Sequence, residues 1–178
     1  MIVLESKRLF FRQHESSDLN SFCAMEMDPE VRRYVGGYPR SRDDAERKFR
    51  DGPLRGVSDR LALWATILKP EGPYIGRCGL YPHFTPPEGG VVVGEATLAL
   101  YIARAYWGQG FASEAARAFV SFGWKELLLS RIVATVQVGN DASVHVLEKI
   151  GFKLIATERG ERSFLKFAIR NPAVNGDP

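Results

Sequence analysis

The segment Tyr106-Trp107-Gly108-Gln109-Gly110-Phe111-Ala112-Ser113-Glu114-Ala115 carries the clearest chemical signal in this chain. An apolar run over residues 96–103 leads into it, and a helix-like run over residues 111–128 leads out. Gly108 and Gly110 let the backbone approach a ligand with no Cβ in the way. The first turn of the following helix leaves amides without intrahelical partners. With the positive end of the helix dipole, those donors suit phosphate oxygens. A diphosphate-bearing ligand is the expectation for this loop.

Other familiar chemistries lack their residues. His14, His83 and His145 are scattered, with no HExxH or paired ligand spacing, so no metal site is expected. Cys23 and Cys78 lie far apart and form no CxxC, which points to reduced thiols and a cytoplasmic setting. Net charge is +3, from 24 basic and 21 acidic residues spread along the chain; this is too mild to indicate a nucleic-acid partner. No apolar run reaches the roughly 20 residues of a membrane span, and the first residues do not read as a signal peptide. No GxxxxGK[ST] supports a nucleotide-binding module.

The elements that must hold the glycine turn follow from periodicity and punctuation. Residues 8–12 read as a first strand. Ser16-Ser17-Asp18 offers a cap for a helix carrying Leu19, Phe22, Cys23 and Met27. Asp28-Pro29 starts a short helix, and Ser41 caps another that runs to Phe49 and stops at Gly52-Pro53. Strands are expected over 61–68, 74–81 and 91–103, with residues 82–90 a loop by composition. After the glycine turn, Ala112, Ala115, Ala116, Phe119, Val120, Gly123 and Leu127 share one helical face suited to close packing on a sheet. Residues 131–138 read as a buried strand parallel to the one before the helix. Asn140 caps a helix ending at Gly151, and residues 152–158 and 162–170 close a hairpin. The expected fold class is α/β with a mixed sheet, formed by one domain over residues 1–170 with a mobile tail over 171–178. Arg32-Arg33 and the basic residues over 40–50 read as solvated helix faces; Trp64, Trp124, Phe119 and Phe122 read as core.

Three stretches together resemble the GNAT N-acetyltransferase superfamily, in particular its RimJ/RimL-like branch. They are Leu4-Glu5-Ser6-Lys7-Arg8-Leu9 with Asp28-Pro29-Glu30-Val31, then the glycine turn itself. The third is Asn140-Asp141-Ala142-Ser143 followed by Leu147-Glu148-Lys149-Ile150-Gly151-Phe152. The resemblance covers residues 4–168. It implies a GNAT-type fold: a mostly antiparallel twisted sheet with splayed parallel strands at the cofactor site and flanking helices. It implies acetyl-CoA as donor, an amine acceptor and a homodimer. The implied cofactor-binding residues are Ile102, Trp107, Gly108, Gln109, Gly110, Phe111, Ala112, Ser113, Asn140 and Ser143. Trp107 stands where most of the superfamily has Gln or Arg, so no side-chain phosphate contact is expected from that position.

Acetyl transfer needs a neutral amine, a proton acceptor, an oxyanion donor and a proton for the leaving thiolate. Leu147 occupies the position of the superfamily's acidic tyrosine and cannot donate. By resemblance Ser143 takes that role; the alternative is a serine bonded within its own helix. Glu95 is the candidate base, on the strand leading to the glycine turn. The family's usual glutamate position aligns with Thr97, on the same strand face. The competing reading of Glu95 is a rim glutamate in solvent. Glu114 reads as a first-turn residue stabilising the helix dipole. Tyr34, Tyr38 and the 82–90 loop, stiffened by Pro86-Pro87, are placed by family geometry around the acceptor. The acceptor is a protein N-terminus or a small-molecule amine; the alternative function is a non-catalytic acyl-CoA-binding sensor or subunit.

Overall fold

A computed structural model describes residues 2–53, 60–85 and 90–174. The chain order begins with strands β1 (Ile2–Glu5) and β2 (Leu9–Arg12), then helices α1 (Leu19–Met27), α2 (Pro29–Arg32) and α3 (Arg42–Asp51). Strands β3 (Ala62–Leu68), β4 (Tyr74–Thr85) and β5 (Gly90–Ile102) precede helix α4 (Phe111–Lys125). Strand β6 (Arg131–Gln137), helix α5 (Asp141–Lys149), β7 (Lys153–Glu158) and β8 (Phe164–Arg170) complete it. One sheet runs β1-β2-β3-β4-β5-β6-β8-β7. Its neighbours are antiparallel except β5 and β6, whose parallel pairing joins Glu95 to Arg131, Ala96 to Ile132 and Thr97 to Val133.

Local chemistry explains the helix starts. The Asp28 carboxylate accepts from the amides of Glu30 and Val31, Ser41 from Asp44, and Asn140 from Ser143. Such caps contribute about 1 kcal/mol each. Alternation then assigns the two faces of the sheet. On β5, Ala96, Leu98 and Ile102 enter a core with Phe11, Leu80, Phe119, Ile132 and Phe167, under α4. Glu95, Thr97, Ala99 and Tyr101 share the opposite face by period two. There Tyr101 packs on a second core of Phe22, Met25, Phe49, Ala65 and Ile67, under α1 and α3. Gly123 lets α4 approach closely, since a Cβ there would stand 2.9 Å from Ile132 Cδ1.

Four features depart from the sequence reading. Strand β1 precedes the first expected strand and pairs with β2. Strand β4 continues through Pro82 to Thr85, where a loop was expected. Its pairing with β5 is irregular between Pro82 and Phe84, so the missing proline donor falls at a break in the ladder. Pro86-Pro87 and the rest of residues 86–89 lie outside the described residues, as do residues 175–178. Asn171, expected in the tail, is buried: its amide and Nδ2 donate to the carbonyls of Ser130 and Leu129.

The fourth departure is the largest. Arg32 is not on a solvated face but buried, and with Arg40, Lys48 and Arg77 it surrounds the buried Glu26. The Glu26 oxygens lie 3.3 Å from Arg32, 2.8 Å from Arg40, 3.2 Å from Lys48 and 2.5 Å from Arg77. Burial alone would raise this carboxyl; Arg77, Lys48, Arg40 and Arg32 outweigh it and hold it below the ordinary range. Burial, with Arg77 nearby, pushes Lys48 down to about 8. The Arg77 guanidinium also lies over the rings of Phe22 and Tyr101. This cluster joins α1, α2, α3 and β4.

Candidate functional site

After Ile102 the chain makes a single turn over Arg104–Tyr106, and Trp107 follows in extended conformation. Gly108 and Gly110 have φ of +72° and +80°, the left-handed region that glycine adopts freely. Gly110 is the residue from which α4 starts. A Cβ on Gly108 would meet nothing within 4 Å, so the loop is open above it. No intramolecular acceptor among the described residues takes the amides of Gly108, Gln109, Gly110, Phe111, Ala112 or Ser113. The side chains stay clear of that opening. Trp107 Nε1 donates to the Ile102 carbonyl at 2.7 Å, and Gln109 Nε2 to the Ala105 carbonyl at 3.1 Å. Amides alone face the opening, which is the donor set a diphosphate needs.

Glu114 does more than sit at a helix start. It accepts from the Ser6 hydroxyl at 2.8 Å, the Arg8 amide at 2.7 Å and Arg8 Nε at 2.6 Å. Arg8 Nη1 donates onward to the Gln109 carbonyl at 3.1 Å, and its guanidinium covers the Phe111 ring. Burial would raise the Glu114 carboxyl, but these hydrogen bonds hold it below the ordinary range. The β1–β2 turn is thereby tied to the glycine loop. Between them lies a cleft of about 560 Å³ that includes Lys7, Arg8, Gly110, Arg117 and Lys149. Lys7, Arg117 and Lys149 have no ion-pair partner among the described residues, which leaves positive charge beside the bare amides. The sequence reading missed these cations because only folding gathers them.

Strands β5 and β6 part beyond Thr97 and Val133. Past that point β5 continues to bond β4, and β6 to bond β8. The facing edges of residues 98–102 and 134–137 therefore have no ladder between them, and an amide-bearing chain can satisfy them. Asn140 and Ser143 stand at the far side of this opening, at the start of α5. Asn140 Oδ1 caps the Ser143 amide at 3.3 Å, which leaves Nδ2 without a partner among the described residues. The Ser143 hydroxyl makes no hydrogen bond among them either, so the helix does not occupy it. Tyr34, after α2, reaches across and donates to the Gly139 carbonyl at 2.8 Å. Leu147 is buried in the core under α4.

The closed end of the opening holds polar groups on the α1 side of the sheet. Glu95 accepts from Arg131 Nη2 at 2.8 Å, so it is neither a free carboxylate nor a solvated rim residue. The Thr97 hydroxyl is 3.1 Å from His83 Nδ1. Tyr81 is next to Thr97 in register, and burial raises its phenol above the ordinary value. A second cleft, of about 300 Å³, adjoins Tyr81 and is lined by Gln13, His14, Leu63 and Arg77. His83 carried no signal in the sequence, because its partner belongs to another strand.

Comparison with known proteins agrees with this geometry. The sequence matches the family described as acetyltransferase (GNAT) domain over residues 8–153. It is 31% identical over 158 residues to an uncharacterized N-acetyltransferase, p20, of Bacillus licheniformis, covering 86% of this chain and 83% of that protein. It is 33% identical over 135 residues to the uncharacterized protein YkkB of Bacillus subtilis, covering 74% and 73%. Among solved structures, a GNAT-family acetyltransferase from Bacillus anthracis superimposes with a TM-score of 0.79 at 23% identity, over 96% of this chain and 98% of that one. Spermidine N-acetyltransferase from Vibrio cholerae, in complex with CoA and spermine, does so with a TM-score of 0.72 at 19% identity, over 92% and 95%. The loop of bare amides, the parted parallel strands and the family match together make this chain a member of the GNAT family, an acetyl-CoA-dependent acetyltransferase.

Proposed function

We propose that the chain is a RimJ/RimL-like N-acetyltransferase that moves an acetyl group from acetyl-CoA to a primary amine by direct attack in a ternary complex. The observation that carries this reading is the unladdered gap between β5 and β6, running from the bare amides of residues 108–113 to Thr97. The amides, with Lys7, Arg8, Arg117 and Lys149, hold the phosphates. The edges of β5 and β6, with Asn140 Nδ2, hold the amide-bearing arm. A neutral amine attacks the acetyl carbon; the new C–N bond forms, the C–S bond breaks, and the electron pair stays on sulfur. Ser143 gives the leaving sulfur a hydrogen bond or proton, at the positive end of α5. Holding both reactants in place supplies much of the rate, up to roughly 7–11 kcal/mol in favourable cases.

The acceptor is a protein N-terminus or a small amine of modest charge. The relative from Vibrio cholerae is solved with spermine. Here four cations surround the single carboxylate of Glu26, and one of them, Arg77, lines the cleft beside Tyr81. That positive excess disfavours a polycation. The same reading has the enzyme cytoplasmic and dimeric, the latter checked by light scattering. No helix among the described residues is long and apolar enough to cross a membrane.

Calorimetry with acetyl-CoA and thiol release across a panel of amines test the proposal. Binding without release from any amine would favour an acyl-CoA sensor. Ser143→Ala is expected to lower kcat about tenfold and leave acetyl-CoA affinity within about twofold. An unchanged kcat removes Ser143 from the chemistry.

A further inference from the structure

The transfer reading leaves one task without a residue. Something must take the proton from the attacking amine, and Glu95 is already held by Arg131 at 2.8 Å. Thr97, where the family's usual carboxylate aligns, has only a hydroxyl. Strand β4 brings a base to it. The β4–β5 ladder breaks between Pro82 and Phe84, where residues 92–95 of β5 lie opposite His83 and Gly94 has φ +77°. A bulge of this kind bends the strand and re-aims a side chain. Here His83 Nδ1 meets the Thr97 hydroxyl at 3.1 Å, at the point where β5 and β6 part. Thr97 is buried, whereas His83 keeps an open side, and its Nε2 has no partner among the described residues.

We infer that His83 is the proton acceptor of the transfer, reached through the Thr97 hydroxyl; the inference rests on the acetyl-transfer reading above. The amine proton passes to Thr97 Oγ1 as the hydroxyl's own proton passes to His83 Nδ1. The C–N bond forms, the C–S bond breaks, and once the product has left the imidazolium returns its Nδ1 proton through the Thr97 hydroxyl to water, which restores the Nε2–H tautomer. Thr97 is regenerated, and nothing is oxidised or reduced.

The surroundings keep the imidazole ready for this work. Burial lowers its pKa from the ordinary 6.5; Glu95 on β5 opposes that, and Arg131 on β6 and Lys166 on β8 add to it. Tyr81, the other titratable group beside Thr97, has its phenol raised and stays neutral. His83 is therefore a neutral base at pH 7, and kcat at saturating amine should fall as pH drops through a value below 6.5.

The test uses the full chain, acetyl-CoA and excess propylamine, a primary amine small enough to enter any acceptor pocket, with thiol release read across pH. His83→Gln keeps a hydrogen-bonding side chain but cannot take the proton. At saturating amine it should lower kcat about a hundredfold and abolish the acid limb of kcat, while acetyl-CoA affinity stays within about twofold. Thr97→Ser should keep the rate within about threefold, and Thr97→Val should lose at least about tenfold. The inference is overturned if wild type turns over and H83Q keeps both its rate and its acid limb. If H83Q does not fold, equal rates in T97S and T97V overturn it. A wild type that binds acetyl-CoA yet releases no thiol with propylamine or any amine of the panel above defeats the transfer reading and this assignment together.

Discussion

Glu114 and Glu26 are both shielded carboxylates that tie distant segments together, yet their surroundings differ in kind. Glu114 holds one cation, Arg8, and spends its remaining bonds on a hydroxyl and an amide. The other cations of that region, Lys7, Arg117 and Lys149, line an open cleft. Glu26 instead gathers Arg32, Arg40, Lys48 and Arg77 inside the α1–α3 face. The first arrangement leaves positive charge facing an open cleft; the second consumes it in joining helices to a strand. Basic residues are thus left open to a cleft in one region and consumed by architecture in the other.

If that contrast is right, substitutions around Glu26 move stability, and substitutions around Glu114 move affinity. Glu26→Ala should have the largest effect. Four cations would lose their shared anion, at about 3–5 kcal/mol. Thermal unfolding should fall by roughly 10 °C, at about 2–4 °C per kcal/mol for a chain of this size. A Tm within a degree of wild type would break the comparison. Next comes His14 on the same face, buried among Phe22, Phe49 and Tyr74. Burial lowers its pKa from 6.5 to about 4, Asp18 opposing and Arg77 and Arg12 adding to the shift. The unfolded chain takes up this proton first, so stability present above pH 6.5 is lost as pH falls through about 4. At about 1.4 kcal/mol per pH unit the loss approaches roughly 3 kcal/mol. Denaturant titrations between pH 7 and 4 should show that slope in wild type and a shallower one in His14→Leu.

On the other face, Gly110→Ala forces a side chain into left-handed backbone, at roughly 1–2 kcal/mol. Acetyl-CoA affinity measured by calorimetry should weaken about tenfold, while Tm moves by only a few degrees. Arg117→Ala and Lys149→Ala sharpen the contrast at its weakest end. Each should weaken acetyl-CoA binding roughly twofold to fivefold at low salt and less at high salt, since exposed charges are screened. A loss of stability without a loss of affinity would place these residues with the Glu26 group.

The chain's local chemistry was enough for the helix caps at Asp28, Ser41 and Asn140, the parallel strand after α4, and the glycine turn. Each depends on residues a few positions apart, so spacing and residue type report it. The family resemblance followed from the same short stretches. What folding alone decided involves partners far along the chain: Glu114 with Ser6 and Arg8, Glu26 with Arg77, Thr97 with His83, Tyr34 with Gly139. A solvated arginine and a buried one look alike in sequence, and so nothing local marks Arg32 as buried. A proline-rich stretch looks like a loop until a neighbouring strand bulges to accommodate it, as β5 does opposite His83. Residue type fixes which charges and hydroxyls exist. Strand register and helix packing fix which of them meet, because contact across a sheet depends on pairing rather than on distance along the chain.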